Sequence, residues 1–172
     1  MHHPLDPRIC NIGLDANALD EDGSPRDDLV EAFRQLSSEG TLNVVMAGGA
    51  RDEVLHPNTP ASVQATILPK VYNLQPGLSS AQRARRASVE AILQGKARAG
   101  KHAADASHLC EAAETGCGFF ITHDKRVLEK RVELEAVLPP SLTIVPLAEF
   151  FKILDDYVAK DAAGGVEGVP SI

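Results

Sequence analysis

Long apolar runs are missing from this chain. No stretch approaches the roughly 18 consecutive apolar residues of a membrane-spanning helix. The opening MHHPLDPR also lacks the hydrophobic stretch of a secretory signal, so the expected compartment is the cytoplasm. Cysteine is sparse and carries no metal spacing. Cys10, Cys110 and Cys117 are odd in number, with no CxxC and no matching histidine spacing, which argues against a structural zinc site. A disulfide is not expected in a reducing compartment, and Cys10 and Cys110 read as small hydrophobes in apolar stretches. Positive charge is short as well: 17 Lys and Arg stand against 24 Asp and Glu, for a net charge of −7. That argues against a tight, indiscriminate DNA coater, because phosphate binding is chiefly a positive-charge effect. It leaves room for a nuclease whose acidic centre is neutralised by metal and whose rim is basic. Arg83, Arg85, Arg86, Lys96, Arg98, Lys101 and His102 form such a candidate rim, and a solvated helix face is the plain alternative. No internal repeat or low-complexity block interrupts the 172 residues, a length that fits one domain.

What is present is an alternation of short apolar runs and amphipathic segments. ICNIGL (9–14), LNVVMA (42–47), FFIT (119–122) and LTIV (142–145) read as buried strands. Leu29, Phe33 and Leu36 share one face of a helix expected over 26–37. Gly48-Gly49 supplies a turn before a further helix beginning near Ala50. Prolines divide 55–78, where a short helix over Ala61–Ile67 is expected, extending to Lys70 if Pro69 only kinks it. Ser79-Ser80 caps a helix from Ala81 to Gln94, and further helices are expected over 103–115, 125–135 and 147–158. The pattern predicts a three-layer α/β/α fold with a mostly parallel central sheet. The domain should occupy 1–158, followed by a flexible Gly-rich tail over 159–172.

Four acidic positions fall at element junctions: Asp15, the Asp52/Glu53 pair, Asp105 and Asp124. A parallel fold gathers such junctions at the carboxyl edge of its sheet. Two carboxylates about 4 Å apart repel by roughly 4 kcal/mol at an effective dielectric near 20, so a cluster of them calls for a cation. Mg²⁺ or Mn²⁺ is the hard ion such oxygens select, and one ion or two would activate water against a phosphodiester. Each residue also has a structural role it could fill alone. Asp15 could close a turn, Asp52, Glu53 and Asp105 could complement a helix dipole, and Asp124 could cap the helix after it.

At these residues the chain resembles the PIN domain family of metal-dependent ribonucleases, from about Ile9 to Phe151. The resemblance is carried by IGLDANAL, with Asp15 and Asn17, and by DASHLCEAAETGCGFFITHDKRV, where Asp105 opens an alanine-rich helix and Thr122-His123-Asp124 follows an apolar strand. Glu53 matches the family's second acidic residue best, with Asp52 as its rival. The resemblance implies an endoribonuclease leaving a 5′-phosphate. Its Mg²⁺ or Mn²⁺ would be held by Asp15, Glu53, Asp105 and Asp124, with Asn17 and Thr122 orienting them. It implies single-stranded or structured RNA as substrate, for which Arg83, Arg85, Arg86 and Lys101 of the basic run are the candidate contacts. It also implies a homodimer and, for a toxin of this family, a small antitoxin partner. Val127-Leu128 stands where many such toxins carry an aromatic residue, and the proline-rich 55–80 segment and long tail depart from compact toxins.

Other readings remain. An aspartyl-nucleophile phosphohydrolase of the haloacid-dehalogenase type would want Asp at position 17, where Asn17 stands. A receiver-like domain would want paired acids after the first strand. A non-catalytic RNA-binding or protein-interaction module would keep the fold without the metal.

Overall fold

A computed structural model describes residues 3–47, 55–67, 71–72 and 78–164. Five strands form one sheet: β1 (Asn11–Leu14), β2 (Asn43–Ala47), β3 (Val71–Tyr72), β4 (Cys117–Ile121) and β5 (Thr143–Val145). Their order is β3-β2-β1-β4-β5, with every neighbouring pair parallel and β3 adding only two residues. Among the described residues the helices are α1 (Arg26–Ser38), α2 (Ala61–Ile67), α3 (Ser80–Gln94), α4 (Ala103–Glu114), α5 (Lys125–Glu129), α6 (Arg131–Val137) and α7 (Leu147–Gly164).

Two apolar cores lie on opposite faces of the sheet. On one, Ile12, Leu14, Val44, Phe119 and Ile121 pack against Phe33 of α1 and Phe150 and Leu154 of α7. Phe150 meets both Phe33 and Phe119 edge-on, at centroid distances of 5.7 and 5.4 Å, the arrangement favoured by aromatic quadrupoles. On the other face, Val45, Phe120 and Ile144 pack against Val89 and Leu93 of α3, Leu109 and Cys110 of α4, and Leu134 of α6. Alternate strand residues thus feed alternate cores, as a period of two requires. This is the α/β arrangement expected from the sequence, and the two covered faces are compatible with three layers.

The local chemistry explains several boundaries. Ser79 begins α3 with a capping box. Its hydroxyl accepts from Gln82 N–H at 3.1 Å, and the Gln82 side chain accepts from Ser79 N–H at 2.8 Å. Gly116, at φ 72°, turns the chain from α4 into β4. Gly13 matters differently. A Cβ there would stand 2.9 Å from Ala112 Cβ and 3.4 Å from Phe119 O. The missing side chain lets α4 lie directly on β1.

Several expectations change. β1 starts at Asn11 rather than Ile9, and Ile9 is 84% exposed. β4 begins at Cys117 rather than Phe119, because Gly118 is a strand residue: a Cβ on it would stand 2.8 Å from Cys10 Sγ. The helix expected over 125–135 is two, parted at Lys130, whose φ of −98° and ψ of 3° leave the helical region. The second piece is aimed by its own side chains. Arg131 Nη1 donates to Glu149 at 2.7 Å, and Glu135 accepts from the Ile144 N–H of β5 at 2.8 Å. The final helix runs through Gly164, so residues 159–164 belong to α7 and not to a tail. β3 had no counterpart in the sequence reading, since two residues carry no periodicity. The helix expected from Ala50 and the extension of α2 to Lys70 fall outside the described residues.

All three cysteines are free thiols. Burial pushes Cys10 and Cys117 up to about 11 and Cys110 up to about 12, so they stay protonated and inert at neutral pH. No helix among the described residues is long and apolar enough to cross a membrane.

The Gly13 contact gives a stability test. Gly13→Ala should cost about 1–3 kcal/mol in chemical denaturation, from overpacking against Ala112. Adding Ala112→Gly should recover part of that loss. A cost no greater than a typical surface substitution would show that α4 has room to move.

Candidate functional site

Strand order reverses between β1 and β4. From β1 the chain proceeds outward to β2 and β3 on one side, and β4 and β5 build the other. In an open parallel sheet, the carboxyl ends at such a reversal part to leave a crevice. Asp15 is the first residue past β1, and Thr122, His123 and Asp124 are the first past β4. Residues read from sequence as catalytic or orienting therefore occur at the switch point.

Hydrogen bonds tie these two ends together. Asp15 N–H donates to Ile121 O at 2.9 Å. Thr122 Oγ1 donates to Asp15 Oδ2 at 2.6 Å, and Ala16 N–H donates to Asp15 Oδ1 at 2.9 Å. The same Thr122 oxygen accepts from Asp124 N–H at 3.0 Å. Asn17 Oδ1 accepts from His123 N–H at 3.2 Å. Asn17 and Thr122 thus hold the loops after β1 and β4 in one geometry. Asp15 is only 4% exposed, and its donors offset much of the cost of burying a carboxylate.

Asp124 fills the capping role open to it. Its Oδ1 accepts from Arg126 N–H at 2.7 Å and Val127 N–H at 3.1 Å, at the start of α5. Asp105 lies in the first turn of α4, where His102 Nδ1 is 3.2 Å from its Oδ2. His102 Nε2 is buried and makes no hydrogen bond among the described residues.

His108 is the residue that sequence reasoning missed. It lies three positions after Asp105, on the same face of α4. Its Nδ1 stands 3.6 Å from Asp15 Oδ1, with both side chains 6% exposed. A protonated ring there would form an ion pair with Asp15. The signal in the sequence was the i, i+3 spacing within DASH, which a polar helix face would show equally well. Through His108, the first turns of α4 meet the carboxyl end of β1, so α4 does begin at the site end of the sheet.

Carboxylate oxygens from Asp15, Asp105 and Asp124 are the donors a hard divalent ion prefers. Among the described residues, however, no three His, Cys, Asp or Glu side chains are grouped to hold one. Asp52 and Glu53 lie outside the described residues. Parallel pairing of Gly13 with Val45 brings the end of β2, Ala47, beside the end of β1. Donor chemistry therefore suits a hard ion, but the described carboxylates alone do not close a site around it.

Two cavities flank the Asn17–His123 bond. One of about 510 Å³ is lined by Asn17, Asp20, Glu21, His56 and Asn58, among others. The other, about 380 Å³ and more apolar, lies at His123, Pro146, Leu147 and Leu29. The basic candidates divide. Arg86 is held by Glu114 through bonds of 3.0 and 2.6 Å, which raise its pKa and join α3 to α4. Arg83 donates to Leu78 O at the start of α3. Lys101 is exposed and Arg85 partly so. Arg126, outside the candidate rim, donates to Leu93 O at 2.8 Å and links α5 to the end of α3.

The chain matches no protein-family model, and it has no significant match among curated proteins or solved structures. The geometry of the site therefore carries the functional argument.

Two substitutions test this geometry. Thr122→Val removes a donor to a buried carboxylate and should cost about 1–3 kcal/mol in denaturation, whereas Thr122→Ser should keep most of it. Arg86→Ala strands the Glu114 carboxylate, whose side chain is 2% exposed. The expected loss is about 2–3 kcal/mol, moderated because the guanidinium is 26% exposed. Unchanged stability in either Thr122→Val or Arg86→Ala would remove that bond from the account.

Proposed function

We propose that this protein is a metal-dependent endoribonuclease with a PIN-like fold. The observation that carries the reading is the Asp15–Thr122–Asp124 linkage across the carboxyl ends of β1 and β4, where the strand order reverses. A scissile phosphate at that crevice would meet acidic side chains drawn from separate parts of the chain. Mg²⁺ or Mn²⁺, once bound, would supply Lewis acidity and a water of lowered pKa. Asp15, Asp105 and Asp124, with Glu53 from the segment after β2, are its carboxylates in this reading. Thr122 fixes the Asp15 rotamer, His102 restrains Asp105, and Asn17 holds the loop after β4. Single-stranded or structured RNA is the substrate, with Arg85 and Lys101 placed to meet its backbone more readily than Arg86, which Glu114 holds, or Arg83, which bonds Leu78 O. A homodimer, a cytoplasmic setting and a small antitoxin partner are further expectations of the same reading.

A second reading has its own support. Asp15 already accepts hydrogen bonds on both oxygens, Asp124 serves as a cap, and no described trio is grouped for metal. A PIN-like module that binds RNA or protein without cleaving would have these features too.

Incubation with labelled single-stranded RNA and Mn²⁺, with and without EDTA, separates the two. Cleavage that EDTA abolishes, and that Asp15→Asn and Asp124→Asn each reduce by about 100-fold or more, is the expected result. Cleavage indifferent to EDTA or to both substitutions would discard the site. Binding without cleavage across a varied RNA library would establish the second reading.

A further inference from the structure

The larger cavity beside the Asp15 loop has a chemistry of its own. Its walls include Asn17, Asp20, Glu21, His56 and Asn58, and among the described residues none that lines it is Lys or Arg. Among those residues a phosphate would find no cation, and the nearby Arg34 guanidinium is already engaged by Glu21. A nucleobase, which is uncharged and edged with hydrogen-bonding groups, suits it better. At about 510 Å³ the space falls within the range of small-molecule sites, roughly 300–1,000 Å³.

The polar groups are partly committed, and those commitments leave a pattern. Glu21 Oε1 is paired with Arg34 Nη1 at 2.8 Å, which offsets its charge. Asp20 is then the principal acceptor on that wall. His56 Nδ1 accepts from Asn58 N–H at 3.3 Å, so the neutral ring carries its proton on Nε2 and offers it as a donor. Asn17 Oδ1 is taken by His123 N–H, which leaves the Nδ2 amide as its donor group. Outside the Glu21–Arg34 pair, the wall therefore offers the Asp20 carboxylate as an acceptor and two donors, with the Asn58 side-chain amide beside them.

We propose that this cavity is a subsite for a guanine base of the RNA. The Asp20 carboxylate would accept from guanine N1–H and N2–H₂, while His56 Nε2–H and Asn17 Nδ2–H₂ donate to O6 and N7. Guanine alone among the RNA bases places two adjacent N–H donors on its pairing edge. Adenine and cytosine each turn a ring-nitrogen acceptor toward the carboxylate, and uracil flanks its one N–H with carbonyl oxygens. Base edges read in this way are how single-stranded RNA is recognised. Asn17 joins the two functions, since it lines the cavity and also holds the loop after β4. The proposal rests on the ribonuclease reading, which it deepens to cleavage beside a guanosine.

The test separates base recognition from cleavage. The full chain, ¹⁵N-labelled and kept in EDTA, is titrated with 5′-GMP, 5′-AMP, 5′-CMP and 5′-UMP. Their shared phosphate leaves only the base to differ. GMP should bind about tenfold or more tightly than AMP, the discrimination of one bidentate pair, with shifts centred on the Asn17 and Asn58 side-chain amides. Asp20→Asn should abolish that preference without lowering thermal stability. Equal binding of all four nucleotides, or a GMP preference that survives Asp20→Asn, would overturn the proposal. RNA cleavage without preference for guanosine would overturn it as well, while leaving the nuclease reading intact. A GMP preference in a protein that never cleaves RNA would uphold the subsite and remove the catalytic reading.

Discussion

The hydrogen bond from Thr122 to Asp15 is the constraint from which the site follows. A carboxylate at the end of a central strand is taken out of water, and donors must replace the hydration it loses. The hydroxyl of Thr122 is one such donor, and the same oxygen receives the Asp124 amide. One side-chain atom therefore fixes the first acidic residue and sets the entry into the helix that begins at the last one. Strand pairing brings Asp15 and Thr122 within reach, through the bond from Asp15 N–H to Ile121 O and the pairing of Leu14 with Ile121. Backbone register and side-chain chemistry agree here, which is the consistency a specified structure shows.

A second condition is steric. The imidazole of His108 can approach Asp15 because α4 lies close on β1, and α4 can do so because Gly13 has no side chain and Ala112 a small one. Position 13 thus governs a contact made elsewhere on the same helix. The Arg86–Glu114 pair holds the far end of α4 against α3. The helix bearing Asp105 and His108 is gripped on two sides, so this part of the site stands on a fixed element while hydrogen bonds hold the loops after β1 and β4.

Much of this was legible in the amino-acid order. Asp15, Asn17, Thr122 and Asp124 could be placed because each follows a short apolar strand, and a parallel sheet brings such ends together. The capping of α3 could be read from Ser79 because a hydroxyl before an amphipathic run is a local signal. What escaped was whatever depends on the opposing surface. His108 looks like any polar helix residue until Gly13 is seen to let α4 descend. Gly118 looks like a helix terminator until Cys10 is found against it. The break at Lys130 carries no proline or glycine, and it is recognised only through the partners that orient α6. Arg86 looked like part of a basic rim, and only the fold reveals the Glu114 carboxylate waiting for it. The fourth carboxylate, read at Glu53 with Asp52 as rival, lies outside the described residues.

The carboxylate of Glu135 on the Ile144 amide has a wider meaning than the orientation of one short helix. β5 is an edge strand, and an edge amide left open is an invitation for another chain to add a strand. Here that donor is occupied from within the same molecule, by a charged group that an incoming backbone would have to displace. The β5 flank is thus defended against strand-by-strand polymerisation. Lengthening the sheet on that side meets this obstacle, whereas association through helix surfaces does not.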